Sequence, residues 1–198
     1  MKAIDLDYRK EMTLSPETGF AAFKDSRLMV LDVDAFGTLR ESLLAKLGFE
    51  EARAVMLRFG YQAGFADFLQ VKNNYEFESE EELLLAGFRL QAWEGLAQTE
   101  VYDTRFSRPR KELSVAGKWI NSCEAEQHSV YHQDNHQPVC WTLAGYVSGW
   151  CTAFLDTKVV AVERFCAGKG DKYCEWLAKT EKEWGLEARY IIEALKEF

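Results

Sequence analysis

Three cysteines and one glutamate in the last third of the chain constrain it more than any other feature. Cys140 is followed by Glu163, Cys166 and Cys174. Three thiolates and a carboxylate can close a tetrahedral shell around Zn²⁺. Gly168, Gly170 and Asp171 mark a tight reversal between two strands, at 158–166 and 172–177. That reversal brings Cys166 back toward Cys174. Cys140 falls at the start of a helix, where the dipole favours thiolate. Glu163 and Cys166 are an odd number of residues apart and would face opposite sides of an ideal strand. A bulge or strand end around 165–168 is therefore needed to bring them together. Three buried structural cysteines are the competing reading. Spacing alone leaves both open, because no paired CxxC pattern is present.

The chain has 198 residues, enough for one sizeable domain or two small ones sharing a core. A net charge of −8 argues against non-specific binding to nucleic acid. The densest basic cluster is Arg108-Pro109-Arg110-Lys111, in an expected turn. No apolar run approaches the length of a membrane span. Met1 to Asp7 lacks an apolar leader, so the expected location is intracellular, in the cytoplasm. Five cysteines, an odd count, suit metal ligands or buried thiols in a reducing compartment better than disulfides.

Residues 1–27 read as an arm that needs a partner surface. Arg27 to Val33 reads as a short buried strand, with Asp34 capping a helix that runs to Gly48. A second helix covers Phe49 to about Val71. Gly60 and Gly64 inside it each cost about 1 kcal/mol, and their spacing suggests close approach of another backbone. Ser79 and Glu82 form a capping box for a third helix, to Glu94. Thr99–Phe106 and Leu113–Ile120 form an antiparallel hairpin. Pro138 opens a helix from Val139 to about Leu155, whose Tyr146, Trp150 and Phe154 make an aromatic stripe. Core packing is the default for that stripe, and an apolar ligand pocket is the sharper alternative. Its polar candidates are Gln91, Tyr146 and the Trp119 indole. Glu181 to Phe198 reads as one amphipathic helix. His128, His132 and His136 recur at every fourth residue. Such a row can bind metal, but Gln127, Gln133, Asp134, Asn135 and Gln137 around it favour a solvated row. No nucleophile, base and orienter stand at catalytic spacing. Gly168-x-Gly170 is not a phosphate loop.

Four segments together carry a resemblance. They are Val-Leu-Asp-Val-Asp-Ala-Phe-Gly-Thr-Leu-Arg (30–40), Arg-Phe-Gly-Tyr-Gln-Ala-Gly (58–64), Pro-Val-Cys-Trp-Thr-Leu-Ala-Gly-Tyr (138–146) and Cys-x₃-Gly-Asp-x₂-Cys (166–174). They resemble the N-terminal aromatic-effector sensor of XylR-, DmpR- and MopR-type activators, which are sigma-54-dependent and NtrC-like. The part from about 138 to 178 is similar to the 4-vinyl reductase domain within that module.

The resemblance implies an α+β fold with helices on an antiparallel sheet and a C-terminal zinc hairpin. It implies a structural zinc held by Cys140, Glu163, Cys166 and Cys174, with Cys123 and Cys151 left out. It also implies an aromatic effector between helices and sheet. Trp119 matches a tryptophan that holds the phenolic hydroxyl. Gln91 stands where the phenol sensors have a histidine, and glutamine cannot act as an imidazole base. Trp93, Tyr146, Trp150 and Ala161 are implied wall residues. The expected division is a dimerisation arm (1–27), an effector-binding region (28–122), a zinc-binding 4-vinyl reductase-like part (123–180) and a linker helix (181–198).

Relatives of the module are homodimers that feed an ATPase domain and a DNA-binding domain. Neither the Walker motif nor a basic recognition helix is in this sequence. The expectation is a non-enzymatic sensor domain, excised or free-standing, that answers a small aromatic compound and relieves repression of the ATPase. The alternatives are a 4-vinyl reductase-like enzyme or tetrapyrrole accessory, and a ligand-free zinc dimerisation module.

Overall fold

The computed structural model of the chain describes residues 1–132 and 136–196. The N-terminal arm opens with a 3-10 turn and a short helix α1 (Tyr8–Glu11). Strands β1 (Met12–Ser15), β2 (Phe20–Phe23) and β3 (Ser26–Leu28) then form a small antiparallel sheet in that order. The expected buried strand at 27–33 therefore ends at Leu28. Met29 and Val30 are 82% and 76% exposed, because the chain leaves the edge of this sheet before turning into helix.

The arm finds the surface it was expected to need on its own chain. Tyr8 stacks on Phe23 with ring centroids 3.9 Å apart. Gln70 Nε2 donates to the Phe23 carbonyl at 2.8 Å.

Helix α2 (Val33–Leu47) is capped by Asp32, whose Oδ1 accepts from Ala35 N at 2.7 Å. Asp34, the expected cap, sits in the first turn, where its charge favours the dipole. Gly48, at φ +77, separates α2 from α3 (Phe49–Asn74). Helix α4 (Glu80–Trp93) has the Ser79 cap: Ser79 Oγ accepts from Glu82 N at 3.2 Å. The other half of the expected capping box is missing. Glu82 instead accepts from Ala3 N at 2.6 Å and ties the arm to α4.

Strands β4 (Gln98–Ser107) and β5 (Glu112–Ile120) form the expected hairpin. Helices α5 (Cys123–Tyr131) and α6 (Trp141–Leu155) follow, then β6 (Val159–Phe165) and β7 (Cys174–Thr180). The four strands make one antiparallel sheet in the order β4-β5-β7-β6. Trp119 pairs with Cys174, Glu163 with Trp176 and Ala161 with Ala178. Alternation puts these side chains on one face. The register slips at Arg164, between Glu163 and Phe165. This is the bulge that the cysteine spacing required, one residue earlier than expected.

Helix α6 lies on that face, with Ser148 Oγ accepting from Ala161 N at 2.8 Å and Thr152 Oγ1 from Val159 N at 2.9 Å. Its other side meets α3 through two glycine pairs. A Cβ on Gly60 would stand 2.0 Å from the Thr142 carbonyl oxygen, and one on Gly149 would stand 2.0 Å from that of Tyr61. Gly64 and Gly145 are equally close to the opposing backbone. The expected close approach is therefore reciprocal, with glycines on both helices.

The C-terminal segment is not one helix. It breaks into 3-10 turns at Glu181–Glu183 and Leu186–Ala188, and a six-residue helix α7 (Arg189–Ala194). Trp184 is the cause: its indole donates to the Val160 carbonyl at 2.8 Å and pins the chain to β6, and Gly185 follows in a non-helical conformation. Ile191 and Leu195 are buried, and Lys158 Nζ donates to the Leu195 carbonyl at 2.6 Å. Residues 197 and 198 lie outside the described residues.

Candidate metal centre and effector wall

Cys140 is the N-cap of α6, Cys166 follows β6, and Cys174 opens β7. With Glu163 they place one donor atom each within 4.8 Å of one another, and all four residues are buried. Cys140 Sγ lies 4.0 Å from Cys166 Sγ and 3.7 Å from Cys174 Sγ. A Zn–S bond of about 2.3 Å gives a tetrahedral edge of about 3.8 Å, so the thiols stand at ligand spacing. Glu163 Oε2 accepts from Cys140 N at 2.9 Å, which aims the carboxylate; its Oε1 is buried without a partner. The reversal is held by Asp171, whose carboxylate accepts from Cys166 N at 2.8 Å, and by Gly170 at φ +97.

Cys140 is also fixed from behind. Glu124 of α5 accepts from Thr142 N at 2.9 Å and Leu143 N at 3.0 Å, capping α6. Arg40 of α2 pairs with Glu124 at 3.0 Å, and both side chains are buried. Ser122 Oγ lies 3.1 Å from Cys140 Sγ.

The electrostatics ask for a cation. Hydrogen bonds from Cys140 and Cys166 draw the Cys174 thiol down to about 5, whereas burial pushes Cys140 and Glu163 well up. Four buried acids cannot ionise together, and a dication removes that conflict. Soft thiolates with one carboxylate fit zinc. Cys123 and Cys151 stand apart; burial pushes the Cys123 thiol up to about 12.

A second feature grows from the same sheet face. Trp119 and Trp176 stack with centroids 5.7 Å apart, and Phe88 of α4 packs on Trp176 at 5.2 Å. Gly117 leaves room for them, since a Cβ there would stand 2.7 Å from the Trp176 ring. Gln91 of α4 is fully buried, and its Oε1 accepts from Thr99 Oγ1 at 2.7 Å. Thr99 is the strand partner of Trp119. Gln91 Nε2 and both indole Nε1 atoms are buried without partners. Each such donor costs about 1–3 kcal/mol, and a ligand with an acceptor atom offsets that cost.

Residues 7–106 match the model of the XylR N-terminal family, described as "Activator of aromatic catabolism". The chain belongs to this family. It is 29% identical over 178 residues, 90% of its length, to the phenol regulator MopR of Acinetobacter guillouiae. It is 30% identical over 161 residues, 81% of its length, to the transcriptional regulatory protein XylR of Pseudomonas putida. The chain spans about a third of these regulators, 32% and 28% of their lengths. Its fold is that of the phenol-responsive sensory domain of the transcription activator PoxR, solved with phenol. The TM-score is 0.90 at 23% identity, covering 96% of this chain and 94% of that one. The chain is thus an N-terminal sensor domain of the XylR type.

Within this XylR-type domain the expected wall residues do not all meet. Ala161 lies on the sheet face beside Trp176, through the Ala161–Ala178 pair. Trp150 is buried against Phe68 and donates to the Leu84 carbonyl, and it takes the space over Gly87. Phe154 packs on Phe68 and Phe106, so these two members of the stripe are core. Trp93 is about half a turn from Gln91 and faces the arm, donating to the Leu6 carbonyl at 2.9 Å. Trp176 was missed by the sequence reading. The alternation Cys174, Trp176, Ala178 after a metal ligand carried the signal.

Tyr146 joins an unforeseen polar cluster. Its hydroxyl donates to Asp67 at 2.8 Å, Asp67 is hydrogen-bonded to Glu94, and Tyr8 donates to Glu94 at 3.1 Å. Burial, then the neighbouring Asp67, pushes Glu94 well above its ordinary 4.5. A carboxyl raised on folding stabilises fully below its unfolded pKa, and that contribution is lost as pH rises through the folded value. Glu94→Gln should therefore flatten the fall of the unfolding temperature above about pH 4.5. Parallel pH profiles for the two proteins would contradict the raised Glu94 carboxyl.

Proposed function

We propose that this domain binds one small aromatic effector against Trp119, Trp176, Phe88 and Gln91, and reports it to an ATPase domain of a longer cytoplasmic regulator. The observation that carries the reading is the set of three buried, unpartnered N–H donors beside stacked rings. The rings supply an apolar flat surface, and a polar substituent accepts from the Trp119 indole. Gln91, which lacks an imidazole's basicity, suits a neutral or differently substituted ring at least as well as phenol.

A cleft of about 460 Å³ between the arm, α4 and β4 shares Phe88 and Thr99 with this wall and is the proposed way in. Zinc, held by Cys140, Glu163, Cys166 and Cys174, supplies structure rather than chemistry. No reaction is assigned to the domain.

Strand β6 links the parts: Ala161 faces the wall, Glu163 the metal centre, and Val160 holds Trp184 of the C-terminal segment. The effector favours one packing of this strand, and the C-terminal segment relieves repression of the ATPase. The exposed Leu14, Phe20, Met29, Val30 and Leu31 on and beside the arm's sheet fit cover by a second copy in a homodimer. The division into an effector-binding region (28–122) and a zinc-binding 4-vinyl reductase-like part (123–180) belongs to the same proposal.

Calorimetric titration with benzene, toluene, phenols and biphenyl tests the reading. At least one should bind saturably, and a flat response to all would overturn it. Gln91→His should tighten phenol binding by about tenfold, the effect of about 1.4 kcal/mol from one better hydrogen bond. No gain would remove Gln91 from the site.

A further inference from the structure

A second group of ligating side chains lies apart from the thiol cluster. Glu41 of α2, His128 of α5 and His132 at the end of α5 bring one donor atom each within 4.8 Å of one another. Four residues apart on a helix, the two imidazoles share a face; their centroids are 4.6 Å apart at 24°. His132 Nε2 lies 2.7 Å from Glu41 Oε2. The expected solvated row holds for His132 and His136 only. His128 is 3% exposed, and neither of its ring nitrogens has a hydrogen-bond partner. Glu41 Oε1 is likewise buried and unpartnered. Gln133, Asp134 and Asn135 lie outside the described residues.

An imidazole buried with both nitrogens unsatisfied is a costly arrangement for a merely packed side chain. Arg40, the cation facing His128, gives Nη1 to Glu124 and to the Val139 carbonyl, while its Nε and Nη2 are buried without partners. Two imidazoles and a carboxylate are a common donor set for zinc and its first-row neighbours.

We propose that Glu41, His128 and His132 form a second divalent-metal site, open to water on the side where His132 reaches solvent. A metal there ties α2 to α5. Helix α5 carries Glu124, which caps α6 beside Cys140, so the two metal sites share a support. The site stands whether or not an aromatic effector binds.

The test is metal stoichiometry of the folded chain with Zn²⁺, and with Co²⁺ as a spectroscopic probe. The wild type should bind two equivalents at about micromolar free metal. Only one should give thiolate-to-cobalt charge-transfer bands. Glu41→Gln and His132→Gln, both reaching the surface, should each weaken the second equivalent by more than about 100-fold. That exceeds what loss of an outer-shell partner does. Both should leave the thiolate bands and the circular dichroism unchanged. His128→Ala should act in the same way, and the two surface variants decide the matter if it folds poorly. A single equivalent in the wild type, or a second equivalent unchanged in Glu41→Gln and His132→Gln, would overturn the site.

Discussion

Cys166→Ser should lose the zinc and with it the cooperative fold. Structural zinc contributes roughly 10–16 kcal/mol of apparent binding energy in small metal-dependent domains. Whole domains are stable by only about 5–15 kcal/mol. The metal term is therefore as large as the whole margin. The site joins elements far apart in sequence, since Cys140 lies on α6 and the others on the β6–β7 hairpin. Removing one thiol leaves Glu163 and two cysteines buried with their charge conflict unresolved. Elemental analysis and thermal melting are the measurements, with chelator treatment of the wild type as the parallel experiment. A metal-free Cys166→Ser protein that melts cooperatively near the wild-type temperature would contradict the structural role.

Gly149→Ala should be the next most damaging change, and Gly60→Ala its equal. Helix propensity alone predicts the reverse, since alanine is favoured over glycine by about 0.8–1 kcal/mol in a helix interior. The geometry decides against propensity. Each new Cβ would meet a backbone carbonyl oxygen at 2.0 Å, and backbone cannot swing aside as a side chain can. Helices α3 and α6 must part, which loosens the packing around Tyr61, Tyr146 and Thr142. Overpacking of this kind costs about 1–3 kcal/mol and occasionally more. The double variant should fail to reach the native fold. Denaturant unfolding checks it, and a raised midpoint for either single variant would show that the helices are not locked.

Much of this was readable from residue types and spacing. Gly60 and Gly64, four apart in a helix, suggested a close helix contact over a merely weak helix, and the opposing carbonyls bear that out. Cys140, Glu163, Cys166 and Cys174 offered a cluster that spacing alone left open and the family resemblance selected, and the parity of 163 and 166 required a bulge, which falls at Arg164. The sequence failed where long-range contacts outweigh local pattern. Trp184 looks like one member of an amphipathic helix, but its bond to Val160 breaks that helix. Met29 and Val30 look like a buried strand, but no sheet partner extends that far. Glu82 looks like a capping-box residue, but the arm takes its carboxylate. Trp93 and Trp176 show the same limit at the effector wall. One sits two residues from Gln91 and faces away from it; the other gains its place only from the strand register with Glu163 and Gly117. No membrane-crossing helix is found among the described residues, in keeping with the sequence.

A crystal structure of the zinc-loaded domain with the tightest-binding aromatic of the titration panel tests the sensor account most directly. The ring should lie against Trp119 and Trp176, its polar substituent within hydrogen-bond distance of the Trp119 indole or the Gln91 amide. A ring bound elsewhere, with those three N–H groups still unpartnered, would contradict it.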